Sequence, residues 1–165
     1  MKQINLREAF SMVTAIFVIV IMASVAILVT NLSGKIVKET TAQFQREQAE
    51  LYAKSYTEYA ILAVTGNDRS TNCLKDIDGL IKIDTTSSTT VSNGNGYRIR
   101  VRIAYIGSSS EIGSCASTRI LSTNVTTQTT PLTILVDTYV DYKDPQNSGS
   151  GSPWLTIHRR SVQKI

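Results

Sequence analysis

From Ala9 to Gly34 the chain carries no charged side chain, and Phe10 to Val29 is an almost unbroken run of Phe, Ile, Val, Leu, Met and Ala. About 20 apolar residues suffice to cross a hydrocarbon core as a helix. A soluble core helix of that length and apolarity is unusual, so the run predicts a membrane segment. The overall hydrophobic content of 42% hides it, because much of that content is gathered at one end. The rest of the 165 residues suits one globular domain. The net charge of +4 is scattered and points to no particular acidic partner.

Three readings of the first 34 residues compete. A secretory signal peptide would use Lys2 and Arg7 as its charged start and Ser24-Val25-Ala26 as its cleavage site. Against it, Ile27-Leu28-Val29 carries the apolar run straight past that cut. A plain single-pass anchor is the second reading. The third rests on Arg7-Glu8-Ala9-Phe10-Ser11-Met12-Val13, which resembles the cleavage region of type IV prepilins and type II secretion pseudopilins. That resemblance implies a charged leader over residues 1–9, cut between Ala9 and Phe10 by prepilin peptidase on the cytoplasmic side. It also implies N-methylation of Phe10, with the apolar helix retained in the mature protein.

Two positions depart from the family pattern. Ala9 stands where glycine is usual. Thr14, fifth after the cut, stands where most members carry a glutamate that pairs with a neighbouring subunit's terminal amine. A threonine makes no such ion pair, although its hydroxyl can bond back to its own helix. The resemblance therefore places an altered subunit contact at Thr14, and members lacking the glutamate tend to be minor, tip-located subunits. Basic residues flank the apolar run on both sides, Lys2 and Arg7 before it and Lys35, Lys38 and Arg46 after it. The positive-inside rule does not choose between the two orientations.

Beyond the apolar run, Lys35 to Ala63 contains no proline or glycine and is rich in helix formers. Val37, Phe44, Leu51 with Tyr52, Ser55, Tyr59 and Leu62 recur at three- and four-residue steps, which predicts one apolar face. Glu50 and Lys54 add an acid-before-base pair one turn apart. Gly66-Asn67-Asp68 ends the pattern. A single helix from Phe10 to about Val64 would extend on the order of 80 Å. Gly34 is its weakest point, since glycine costs a helix about 1 kcal/mol relative to alanine. A membrane helix followed by a separate coiled-coil linker is the alternative.

The remainder is strand-like. Tyr97 to Ile106 alternates Tyr97, Ile99, Val101, Ile103 and Tyr105 with Arg98, Arg100 and Arg102. Leu132 to Val140 alternates likewise, with Asp137 and Asp141 on the polar side. Trp154 to Val162 reads as a shorter strand and Arg119 to Ser122 as an edge strand, separated by turn-rich segments. These elements predict an α+β fold: a long N-terminal helix, transmembrane over 10–33, packed by its amphipathic half on an antiparallel sheet of three or four strands. Residues 34–165 then form one head with one core.

Cys73 and Cys115 lie far apart without CxxC spacing; beyond a membrane segment they read as one disulfide in an oxidising compartment, or else as two unrelated buried thiols. The pair and the Thr/Ser/Asn-rich β composition favour a head outside the cytoplasm. His158 is the only histidine and has no partner motif for acid–base work. Two cysteines and one histidine match no zinc spacing. No cofactor or enzyme activity is expected. Asp141 and Asp144, in the polar segment Asp141 to Ser152, could supply oxygen ligands to calcium, though at no defined spacing. Arg98, Arg100 and Arg102 could meet phosphates, but no aromatic residues interleave with them to stack bases. Pairing with Asp137 and Asp141 across the sheet is the preferred reading, and nucleic acid is not expected as a partner.

The sequence thus points to a non-enzymatic filament subunit, held in the bacterial inner membrane before assembly and exposed on the periplasmic side. Its expected partners are sister pilin or pseudopilin subunits, the inner membrane, prepilin peptidase and the assembly machinery. The alternatives are a single-pass envelope protein with an external β-rich binding domain, and a DNA-uptake or adhesion pilin.

Overall fold

The computed structural model describes residues 6–69, 71–82, 96–124, 132–144 and 151–165, with side chains described from residue 12 onward. The chain forms two compact units, Met1–Thr41 and Ala42–Ile165. Helix α1 (Leu6–Gly66) supplies nearly all of the first and opens the second. The fold is α+β.

In the first unit every described side chain, from Met12 to Thr41, is exposed. The most apolar 18-residue window of the helix has a mean hydropathy of 3.0 and no burial, so α1 is long and apolar enough to cross a membrane. Gly34, the expected weak point, lies inside the helix with open space around it. Ser24 and Thr30 bond back to the carbonyls of Ile21 and Ala26, which keeps their hydroxyls satisfied along the apolar stretch.

The second unit sets the later turns of α1 on a sheet of five strands. These are β1 (Asp76–Lys82), β2 (Gly96–Gly107), β3 (Ile120–Ser122), β4 (Leu132–Lys143) and β5 (Trp154–Lys164). The path runs β1-β2-β4-β5 with every neighbouring pair antiparallel, and β3 adds to β2 in parallel. One turn of helix α2 (Ser109–Ile112) follows β2. The sheet is one strand larger than expected, because Asp76–Lys82 lacks the alternating hydrophobic pattern of β2 and β4. Arg119 to Ser122, expected as an edge strand, pairs as Ile120–Ser122 beside β2.

The alternation in β2 and β4 translates directly into burial. Ile99, Val101, Ile103, Ile134, Val136 and Val140 are all fully buried, on one face of the sheet.

Of the expected helix face only Tyr52 packs against the core, edge-on to Tyr97. Phe44, Leu51, Tyr59 and Leu62 remain 57–69% exposed, and Val37 in the first unit is likewise exposed. Ala49, Ala53, Thr57, Ala60 and Val64 are buried instead, at four- and three-residue steps, flanked by half-buried Tyr52 and Tyr56. Small side chains let the helix axis come close to a sheet face already filled by Ile, Val and Tyr, which large residues on that stripe would prevent. Gly79 serves the same close packing. A Cβ there would fall 2.5 Å from the Tyr56 hydroxyl, so any larger residue would push the ring aside.

Among the described residues, polar contacts at Thr57 and at Tyr97 cross between helix and sheet. Thr57 donates to the Ala53 carbonyl at 2.7 Å, and its oxygen lies 2.9 Å from the Thr138 hydroxyl, fully buried. The Tyr97 hydroxyl donates to Gln48 Oε1 at 3.1 Å. Burial pushes the Tyr97 phenol up to about 12. Tyr105, whose hydroxyl donates to the Leu74 carbonyl at 2.6 Å, is also pushed up to about 12 by burial.

Candidate functional site

The residues singled out by the sequence fall in four places. Ala9 and Phe10 belong to the first turns of α1, where side chains lie outside the described residues. Thr14 is on the exposed surface of the apolar helix. Cys73 and Cys115 are joined in a disulfide, both buried, with Cα atoms 4.9 Å apart. It ties the segment leaving α1 to the segment following α2. With its ends separated by 42 positions in the sequence, the loop-entropy model gives it about 4 kcal/mol of stabilisation.

The three arginines stand, partly buried, on the face of the sheet opposite the buried Ile99 and Val101. The strand register sorts that face into rows. Asp76, Arg102, Asp137 and Arg160 share one row; Asp78, Arg100, Tyr139 and His158 form the next; Leu80, Arg98, Asp141 and Thr156 the third. Arg98 and Arg100 both reach Asp141, at 2.9 and 3.0 Å, as the cross-strand reading expected. Arg102 does not pair with Asp137. It turns to the other side and meets Asp78 at 2.7 Å and Asp76 at 3.4 Å, on a strand the sequence did not reveal. Arg119 also reaches Asp76, at 2.6 Å.

Asp137 is held instead by Arg160 at 2.7 Å and by His158 Nε2 at 2.8 Å. The hydrogen bond from Arg160 is the main cause that lowers its pKa, with His158 contributing, and both outweigh partial burial. Asp141 has a side chain 1% exposed. Burial alone would raise its pKa, but bonds from Thr156, Arg100 and Arg98 together hold it below the usual carboxylate range.

Aromatic rings do interleave with these cations, contrary to the sequence reading, because they come from neighbouring strands. The Arg98 guanidinium lies 4.7 Å from the Trp154 ring centre, with Lys143 Nζ 5.2 Å from the same ring. Tyr139 stacks on His158 at 4.5 Å and 8°, and Arg100 lies 5.6 Å from its centre. A ring stacked on an adjacent histidine and attended by an arginine is already engaged by its neighbours, so base stacking would have to displace them. Asp141, considered above as a calcium ligand, is enclosed by two arginines and Thr156; residues 145–150 of the polar segment named with it lie outside the described residues. Among the described residues no group of three or more His, Cys, Asp or Glu side chains comes together.

No family model matches the chain, and no curated protein or solved structure matches it.

The outward face of α1 in the second unit is the other notable surface. Phe44, Glu47, Gln48, Glu50, Leu51 and Lys54 line an open groove of about 480 Å³ on the helix itself. Its apolar residues contribute nothing to the core of the head. The spacing made this face visible in the sequence, but assigned it to the wrong partner.

Proposed function

We propose that the chain is a non-enzymatic filament subunit of the type IV pilus or type II secretion kind, most consistent with a minor subunit. The observation that carries this reading is the double use of α1. Its first part has the length and apolarity of a membrane span, with none of its described side chains buried. Its later part turns small residues to the sheet and leaves Phe44, Leu51 and Leu62 outward. A simple anchor needs the first property and not the second. A subunit that leaves lipid to pack among sister helices uses both, since lipid contacts are then exchanged for helix contacts. The pilin-like pairing of such a helix with an antiparallel sheet supports the same reading.

On this proposal the head lies on the periplasmic side of the inner membrane before assembly, where the Cys73–Cys115 disulfide is chemically at home. Prepilin peptidase would cut between Ala9 and Phe10, and Thr14 would take the place of the usual glutamate at the subunit contact. The locally neutralised arginines support a structural role for the sheet face over a phosphate-binding one.

The test is the intact mass and N-terminal sequence of the protein from native membranes, with and without the peptidase. A mature chain starting at Phe10 only when the enzyme is present is the expected result. A chain starting at Met1 or at Ile27 overturns the proposal and leaves an anchored or secreted envelope domain.

A further inference from the structure

The sheet has two unlike edges. Strand β5 carries His158, Arg159, Arg160 and Lys164 and no acid, whereas β1 carries Asp76 and Asp78 with a single base, Lys82, at its far end. Among the described residues each of these strands pairs on one side only. An open edge offers a row of backbone donors and acceptors ready for another strand, and its side chains decide which strand is accepted.

Four strands, each antiparallel to the next, separate one edge from the other, so β1 and β5 run in opposite directions. A second copy set beside the first in the same orientation brings its β1 antiparallel to β5. When the rows of the sheet are simply continued, Asp76 of the second copy meets Arg160, Asp78 meets His158 and Leu80 meets Thr156. The row Asp76, Arg102, Asp137, Arg160 alternates in sign across one head, and the next copy carries the alternation on. Symmetric pairing fails on the same grounds: β5 against β5 sets cations against cations, and like charges directly opposite are destabilising.

We propose that the heads of this protein associate edge to edge, the basic β5 of one copy against the acidic β1 of the next. The interface is heterologous, so every added copy leaves one basic and one acidic edge open and the array can grow. This association goes beyond the filament-subunit reading and does not depend on it, because it requires neither cleavage before Phe10 nor helix packing.

The experiment uses full-length chains in detergent at one chain per micelle. A chain carrying Leu80→Cys is mixed with one carrying Thr156→Cys and mildly oxidised; both positions are solvent-exposed, and the native disulfide is already closed. The expected product is the mixed 80–156 dimer, identified by peptide mass spectrometry. Adding Arg160→Asp to the second chain should lower its yield by about tenfold, and Asp76→Lys in the first should recover it. Melting midpoints check that each variant is folded. Raising the salt to about 1 M, which needs no further substitution, should lower the yield as well. A predominant 156–156 product, no 80–156 product, or a yield indifferent to both charge reversal and salt overturns the proposal. None of these outcomes bears on the N-terminus of the mature chain, so the two proposals fail separately.

Discussion

Every side chain from Met12 to Thr41 is exposed, whereas from Ala42 onward the same helix buries a stripe of Ala49, Ala53, Thr57, Ala60 and Val64 and turns Phe44, Leu51 and Leu62 outward. The first stretch is almost wholly apolar as far as Val29, and none of its described side chains is buried; the second is two-faced, with Phe44, Leu51 and Leu62 on the face away from the core. Apolarity therefore does not by itself say which side of a helix is buried. Against a sheet face already filled with Ile, Val and Tyr, volume decides, and the smallest residues are admitted.

The contrast can be broken most severely in the first stretch. Ile19→Arg should cost about 2.5–3.5 kcal/mol in membrane insertion, read from the fraction resisting carbonate extraction, while the melting midpoint of the head stays unchanged. Equal extraction of the variant and the parent would remove lipid from the account of that stretch. Ala53→Leu should do the reverse. Overpacking the buried stripe is expected to destabilise the head by about 1–3 kcal/mol in denaturant unfolding, with membrane association intact.

The next effect lies under the sheet's charged face. Asp141→Asn should cost about 1–3 kcal/mol at neutral pH, because two arginines lose their shared anion. The carboxyl titrates lower in the folded head than the ordinary 3.8, so its contribution is complete above that value and disappears as pH falls through the folded pKa. Unfolding of the parent should steepen below about pH 4, and the variant should show a flatter acid limb. A variant with the parent's acid profile would locate the acid sensitivity elsewhere. Smallest of all, Leu51→Ala should change head stability by less than about 0.5 kcal/mol. A loss of the size seen for core deletions would put Leu51 inside and void the contrast between the two faces.

Much of this architecture is legible in the chain, and the illegible parts have identifiable causes. The alternation of β2 and β4 names their core-facing residues correctly, but not the buried end of β4, where Asp141 on the other face and Lys143 are enclosed too. The apolar helix announces itself by length alone. Strand β1 escapes notice because Asp76-Ile77-Asp78-Gly79 reads as a polar turn; its glycine is there for the Tyr56 ring, a contact made across the fold. With β1 unseen, Arg102 has no visible partner but Asp137. Tyr139 and Trp154 join the arginines only through the register of three strands, which no window of sequence displays. The helix stripe is misassigned because periodicity fixes spacing but leaves the phase to packing.

The polar contacts at Tyr97 and Thr138 between sheet and helix have a mechanical consequence. Between the flanking Tyr52 and Tyr56 rings the buried stripe is mostly alanine, which by itself offers little resistance to sliding or rolling. The Tyr97 contact at Gln48 and the Thr138 contact at Thr57 grip the helix at two points nine residues apart, about two and a half turns. One grip would stop translation and still allow a pivot; two remove both freedoms. Torque applied along the later turns of α1 therefore passes into β2 and β4, the central strands, and the head turns with its shaft.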